Sequence, residues 1–307
     1  MSPLHTPPRA ARAPRLALSL ALSLALSLSL SLSLALQAPR AARALGLDPA
    51  LHGLCSDCTT NLTPNEPAFA GLAQAYGLLL APPVLAPANT IGINAFEMDM
   101  SYSLTNFSGD TSVWGAALTN RSKLSNASSG HFTIRKGLPY SFEIEGQLGY
   151  LVGSELWTVG GAAKWSYHEA MRAFPIDFTA RFSGNRLVGS TQLDLSTMGV
   201  DLALGTQFGV KGVMNIAPYV AYSPLWIYAG SNTLDATPGK YDAPEILIRE
   251  NAEGSYAAST FVFPQRVYTA NRVSVGVRFL VGLIKLTPEF AWTPQQYNVN
   301  VSLGLQL

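Results

Sequence analysis

Two cysteines in 307 residues cannot build a disulfide scaffold or a four-ligand zinc site, and four histidines leave little material for metal chemistry. Charge is scarce too. Only 13% of the chain is charged, and 20 basic residues against 19 acidic give a net +1. Without a basic surplus to neutralise phosphates, nucleic acid is excluded as a partner. Apolar residues make up 48% of the chain and mean hydropathy is +0.19, which excludes a disordered chain. No Gly-rich phosphate loop, paired catalytic carboxylates or metal-ligand spacing stands out, so the sequence carries no catalytic, cofactor or metal site. The histidines that do lie near serines are His131, beside Ser128 and Ser129, and His168, which shares a face with Ser166. Both read as ordinary polar residues.

Residues 1–44 read as an export signal. Arg9, Arg12 and Arg15 precede a run of Leu, Ala and Ser from Leu16 to Leu36, no acid occurs before Asp48, and Ala42-Arg43-Ala44 offers a cleavage site after Ala44. The competing reading is an uncleaved anchor, which the interspersed serines weaken. Without residues 1–44 the chain carries 15 basic residues against 19 acidic.

Residues 45–89 read as an N-terminal periplasmic segment. Cys55 and Cys58, as Cys-Ser-Asp-Cys, suit a local disulfide in an oxidising compartment. A helix is expected over 65–80. Asn65 caps it, Glu66 faces the positive end of its dipole, and Pro67 is tolerated in the first turn. Phe69, Leu72, Ala73, Tyr76, Leu79 and Leu80 then follow the spacing of one apolar stripe, and Pro82 and Pro83 stop it. Phe69, Leu72 and Tyr76 are candidate plug residues for the domain that follows; plain structural docking is the other reading.

From Thr90 the hydrophobic period changes from 3.6 to 2. Phe142, Ile144, Leu148 and Tyr150 alternate with Glu143, Glu145, Gln147 and Gly149, while Trp157, Val159, Ala163 and Trp165 oppose Thr158 and Lys164. Ile176, Phe178, Ala180 and Phe182 oppose Asp177 and Arg181; Met198, Val200 and Leu202 oppose Asp201. Val273, Val275, Val277 and Phe279 oppose Arg272 and Arg278; Leu286, Phe290 and Trp292 oppose Lys285 and Glu289. Apolar faces without charge, and opposite faces holding Glu143, Glu145, Lys164, Asp177, Arg181, Asp201, Arg272, Arg278, Lys285 and Glu289, suit a lipid-facing exterior around a polar lumen.

Length separates this from a soluble barrel, the runner-up fold. Soluble strands run about 5–6 residues and membrane-spanning ones about 9–11. The periodic segments here fall in or above the second range. Trp157 and Tyr167 share a face, and at about 3.3 Å per residue and a tilt near 40° they stand roughly 25 Å apart along the normal, the spacing of two aromatic girdles.

The pattern over 90–307 resembles the outer-membrane β-barrels of Gram-negative bacteria. The resemblance implies an all-β transmembrane antiparallel barrel in the outer membrane, with outer-membrane lipid and the barrel-assembly machinery as partners. It departs from the family at Leu307, where such chains usually end in Phe or Trp. About ten strands are expected, near 91–104, 131–138, 140–152, 155–168, 175–184, 193–208, 213–228, 265–281, 283–293 and 296–307. A further strand near 111–119 would raise the count to twelve. The long connections, 105–130 and 229–264, then fall on one side, read as the cell exterior. A bulge is expected near Ala95, where the alternation slips, and Pro218 and Pro288 interrupt strands without evident reason. The mixed charges of so narrow a lumen should pair. The expected function is a narrow or gated pore or conduit for small or hydrophobic molecules, with no cargo identified. A non-transporting envelope or surface barrel, and a soluble barrel binding an apolar ligand, are the alternatives.

Overall fold

Ten antiparallel strands form the wall of a closed barrel in the computed structural model. The structure describes residues 46–55, 63–108, 115–118, 124–167, 176–210, 213–235, 248–250, 256–258 and 260–307. The expected export segment, Cys58 and His168 lie outside the described residues. The wall strands are β1 (Phe96–Phe107), β2 (Asn126–Gly137), β3 (Phe142–Leu151), β4 (Trp157–Ser166), β5 (Asp177–Val188), β6 (Leu193–Gly205), β7 (Met214–Ser231), β8 (Arg266–Val281), β9 (Ile284–Trp292) and β10 (Gln296–Gln306). Each pairs with its neighbours in sequence, and β1 closes the ring on β10 through the register Glu97↔Gln306 to Phe107↔Gln296. At that seam the last residue is itself paired: the Phe96 and Leu307 amides and carbonyls exchange hydrogen bonds of 2.9 and 2.8 Å. Closure leaves no sheet edge, as a bilayer demands of a sheet.

The side-chain alternation is the one the sequence shows. Outward-facing Ile144, Leu148, Val159, Phe182, Leu202, Val275, Phe290 and Val299 are exposed, while the ionisable partners on the same strands are buried inside. Aromatic pairs sit near both ends of the outer band: Tyr150 with Trp157 at 4.7 Å towards one, and Phe142 with Trp165 at 6.4 Å towards the other. The two mouths differ. One bears the connections 108–125 and 232–265 and is here the long-loop mouth. The other bears tight turns such as Gly282-Leu283, and is the turn mouth.

Three boundaries depart from expectation. The first strand begins at Phe96, and residues 91–95 precede it, so the slip in alternation is the end of a different segment and not a bulge. Strand β2 reaches back to Asn126 because its outward positions there are Ser128 and Gly130, too small to show in hydropathy. The twelve-strand alternative fails: residues 115–118 form a turn that bridges Pro49 to Leu118, outside the wall. The prolines also find their places. Pro218 lies where β6 has already ended at Gly205, and the ladder between β8 and β9 is interrupted opposite Pro288, whose missing N–H faces β8.

The N-terminal segment is not a separate domain beyond the mouth. It fills the barrel. Its start is tied to the long-loop mouth, where Leu47 N–H donates to Gly153 O at 3.4 Å, Ala50 N–H to Ala117 O at 2.6 Å and Glu155 N–H to Asp48 Oδ1 at 2.8 Å. Helix α1 (Glu66–Leu80) follows, with Asn65 Oδ1 accepting from Ala68 N–H at 3.1 Å as its cap. The helix packs within the wall against β8, β6, β7 and β2. The expected single stripe widens along the helix: Ala75, Gly77 and Leu78 are buried as well as Phe69, Leu72 and Tyr76, so Ala75–Leu80 is covered all round, while Pro67, Ala70, Gly71 and Gln74 keep a less buried face in the first half. From Ala81 an extended strand of chain descends to the turn mouth and becomes β1 at Phe96. The segment read as periplasmic therefore enters from the long-loop mouth, opposite the chain's C-terminus.

Candidate functional site: the filled lumen

The upper lumen is apolar and the lower lumen is ionic. In the upper half, Phe69 stacks on Phe263 with ring centroids 4.3 Å apart, and Tyr76 donates to Leu47 O at 2.5 Å. Inward-facing Leu151, Leu187, Leu195, Leu225, Ile227 and Ala270 complete the core around α1. Gly77 is required here, since a Cβ would come within 2.5 Å of Ile227 Cγ2.

All ten charged residues expected in the lumen are found there. Three more belong with them: Glu97, Asp99 and Arg135. Burying a charge without a partner costs several kcal/mol, and the wall resolves this with one continuous chain of ion pairs. Lys285 Nζ contacts Glu97 Oε1 at 2.5 Å and Asp99 Oδ2 at 2.6 Å. Arg135 Nη1 holds the same two carboxylates at 2.5 and 2.9 Å, and its Nε holds Glu145 at 2.9 Å. Arg181 links Glu145 at 2.7 Å to Asp201 at 2.5 Å, and Arg272 closes on Asp201 at 3.4 Å. The chain runs from β9 through β1, β2, β3, β5 and β6 to β8, almost the full circuit.

Three of the remaining charges, Glu143, Lys164 and Glu289, serve the descending segment. An extended chain inside a lumen has no ladder for its backbone, and those groups must be paired. Wall side chains do this at successive levels. Asn185 Nδ2 donates to Leu80 O at 2.5 Å and Arg272 Nη2 to Pro82 O at 2.9 Å. Glu289 Oε2 accepts from Leu85 N–H at 2.8 Å. Lys164 Nζ donates to Asn89 O at 2.7 Å, and Glu143 Oε1 accepts from Ile91 N–H at 2.5 Å. Lys164 and Glu143 also pair with each other at 3.1 Å.

Pairing by opposite charge is not universal. Glu289 has no cation partner among the described residues and is satisfied by Leu85 N–H, Tyr219 OH at 2.7 Å and Asn300 Nδ2 at 3.0 Å. Arg278, 3% exposed, makes no ion pair among the described residues. Asp177 is buried at the turn mouth, at the start of β5. His131 lies inside, with Ser129 Oγ at 3.1 Å from Nε2 and Gln147 Nε2 at 3.3 Å from Nδ1. Cys55 is disulfide-bonded.

Sequence reasoning missed Glu97 and Asp99 because the slip before Phe96 hid the phase of β1. Arg135 escapes the alternation because Lys136 beside it puts a charge on the other face of the same strand. Lys136 faces outward at the turn mouth, and its Nζ reaches Asn94 O at 2.8 Å.

Fold and lumen together define a closed transmembrane β-barrel filled by its own N-terminal segment. No protein-family model and no curated protein matches the chain. Among solved structures it is similar to outer-membrane barrels. The COG4313 outer membrane channel from Pseudomonas putida F1 shows 8% identity and a TM-score of 0.35, covering 74% of this chain and 100% of that one. The KdgM porin in complex with disordered oligogalacturonate shows 8% identity and a TM-score of 0.33, over 68% and 98%. The attachment invasion locus protein Ail of Yersinia pestis shows 8% and 0.27, over 70% and 100%. These likenesses concern the fold, and no residue role is carried over from them.

Proposed function

We propose that the protein is an outer-membrane barrel of a Gram-negative-type envelope, exported through residues 1–44, whose lumen its own residues 46–95 keep shut at rest. On this reading it is a gated conduit and not an open porin. The observation that carries the reading is the set of ties between polar and charged wall side chains and the backbone from Leu80 to Ile91. These are polar contacts in the lower lumen, which water or a solute can replace on opening.

The reading is non-enzymatic. The Ser129–His131 pair is sealed inside, and an amide, Gln147, takes the position where a hydrolase places an orienting carboxylate.

The test is planar-bilayer conductance of the refolded chain with and without residues 46–89. The full chain is expected to be silent apart from brief openings, and the truncated chain to conduct steadily. A large, stable conductance from the full chain would overturn the proposal. A second reading, a permanently shut envelope scaffold, draws support from the complete burial of Ala75–Leu80, the second half of α1. Complete absence of openings in the full chain favours it.

A further inference from the structure

Between Pro82 and Ile91, four ionisable wall side chains hold the descending segment, and each of these ties ends on its main chain. Arg272 Nη2 donates to Pro82 O and Glu289 Oε2 accepts from Leu85 N–H; Lys164 Nζ donates to Asn89 O and Glu143 Oε1 accepts from Ile91 N–H. Cation and carboxylate thus alternate along the segment, reaching in from β8, β9, β4 and β3 in turn. The segment's own side chains contribute little to this recognition. From Ala81 to Ala88 none carries a hydrogen-bonding group. Val84 and Ala88 pack beside Ala203, Tyr219 and Ala221 of β6 and β7, and Asn89 Nδ2 adds a side-chain tie to Gln207 Oε1 past the end of β6.

The wall groups narrow the choice of occupant. Ammonium and guanidinium groups only donate hydrogen bonds, and an ionised carboxylate only accepts them. Whatever lies in the lower lumen must offer acceptors to Arg272 and Lys164 and donors to Glu289 and Glu143, in alternation along its length. A small ion answers one sign of group, and an apolar solute answers neither. The main chain of an extended polypeptide carries a carbonyl at every residue and an N–H at every residue but proline, whatever its side chains are.

We propose that the lower lumen is a track for extended polypeptide, read through its main chain, and that residues 82–91 are its resident occupant. A cargo peptide takes over the same four ties when the segment withdraws. The proposal rests on the reading of the barrel as gated by its N-terminal segment. Its cargo is a chain of small, uncharged side chains, because Ala203, Tyr219 and Ala221 leave the resident room for valine and alanine there.

The test is single-channel recording of the full chain and of the full-length Gly77→Ala variant, with a capped synthetic peptide copying residues 82–91 in the bath. Interruptions of the open current are expected, their frequency rising with peptide concentration. A shuffled peptide that keeps its prolines in place should interrupt equally well. A peptide N-methylated at the amides matching Leu85 and Ile91 should leave several-fold sooner, and an oligosaccharide of equal mass should pass unnoticed. Openings that the peptide does not interrupt overturn the track and leave the gate standing. Equal residence of the N-methylated peptide or of the oligosaccharide also overturns it. Steady conductance from the full chain would sink the gated reading instead, and the N-methylated peptide then decides the track on that current. Absence of openings from both chains overturns the gated reading and the track with it.

Discussion

Lys285 Nζ lies 2.6 Å from Asp99 Oδ2 although β10 separates their strands. The contact exists because the residue between them is Gly304, where a Cβ would stand 1.8 Å from Asp99 Oδ1. Gly304→Ala must expel the Asp99 carboxylate and strand part of the charge on Lys285 and Arg135. Disrupting a buried pair costs about 3–5 kcal/mol, so the variant is expected to lose stability on that scale. The midpoint of urea unfolding in lipid, followed by gel mobility, reads it; a midpoint like that of the native chain would mean that this pair is not held as described.

A close approach of another kind fixes the plug. A Cβ on Gly77 meets Ile227 Cγ2 at 2.5 Å and Cδ1 at 2.7 Å. Gly77→Ala should destabilise by about 1–3 kcal/mol through overpacking and raise the frequency of channel openings. Cγ1 also lies at 2.7 Å, and Ile227→Ala in the same chain removes all three colliding carbons and should restore part of the loss. Failure of the second substitution to rescue would place the helix elsewhere.

The two faces of β4 can be told apart by substitution. Ala163 faces outward within the apolar band, and Arg at the bilayer midplane costs about 2–4 kcal/mol. Ala163→Arg is expected to prevent assembly. Thr158 points inward and is 2% exposed. Because the lumen is filled, only an isosteric change such as Thr158→Val is tolerated there, and a long cation is not. Gel mobility after refolding separates the two, and equal tolerance of Ala163→Arg and Thr158→Val would deny the outer face its lipid.

The wall was legible because lipid enforces a strict rule. An outward side chain must be apolar, so strands such as β4, β8 and β10 announce themselves through period-2 hydropathy. Where outward positions are small, as with Ser128 and Gly130 of β2, the rule gives no contrast and the boundary slips by five residues. The cap at Asn65 was legible as local chemistry. The course of the segment after α1 was not, because Pro82, Pro83 and Pro87 are equally at home in an exposed linker. A signal was nonetheless present: Val84, Leu85, Ala86 and Ala88 are too apolar for a solvated connection, and all four are buried. Pairing of individual lumen charges stayed hidden because it depends on register across strands, which a single sequence does not carry.

Export makes a separate demand. The basic start and the Leu/Ala/Ser run of residues 1–44 call for removal of that segment during translocation. Mass measurement of the protein recovered from the membrane fraction should give a chain beginning at Leu45. A chain retaining Met1 would revive the anchor.

The direction of the plug makes the last demand. Residue 46 lies at the long-loop mouth, α1 enters the lumen from that mouth, and the chain leaves at the turn mouth, where Phe96 pairs with Leu307. The segment thus spans the lumen from the long-loop mouth to the seam between β1 and β10. If the long loops face the cell exterior, so does the start of the plug. An epitope inserted immediately before Gly46 should then be reached by antibody on intact cells, without permeabilisation. The insertion falls just before the first buried residues, Gly46 and Leu47, and leaves both in place, so the barrel should tolerate it. A second epitope in the turn at Gly282-Leu283 serves as the internal control and should be silent until the envelope is opened. The reverse pattern would invert the barrel in the membrane. An epitope at Gly46 hidden on intact cells while a long-loop epitope is accessible would mean that the segment does not thread the lumen.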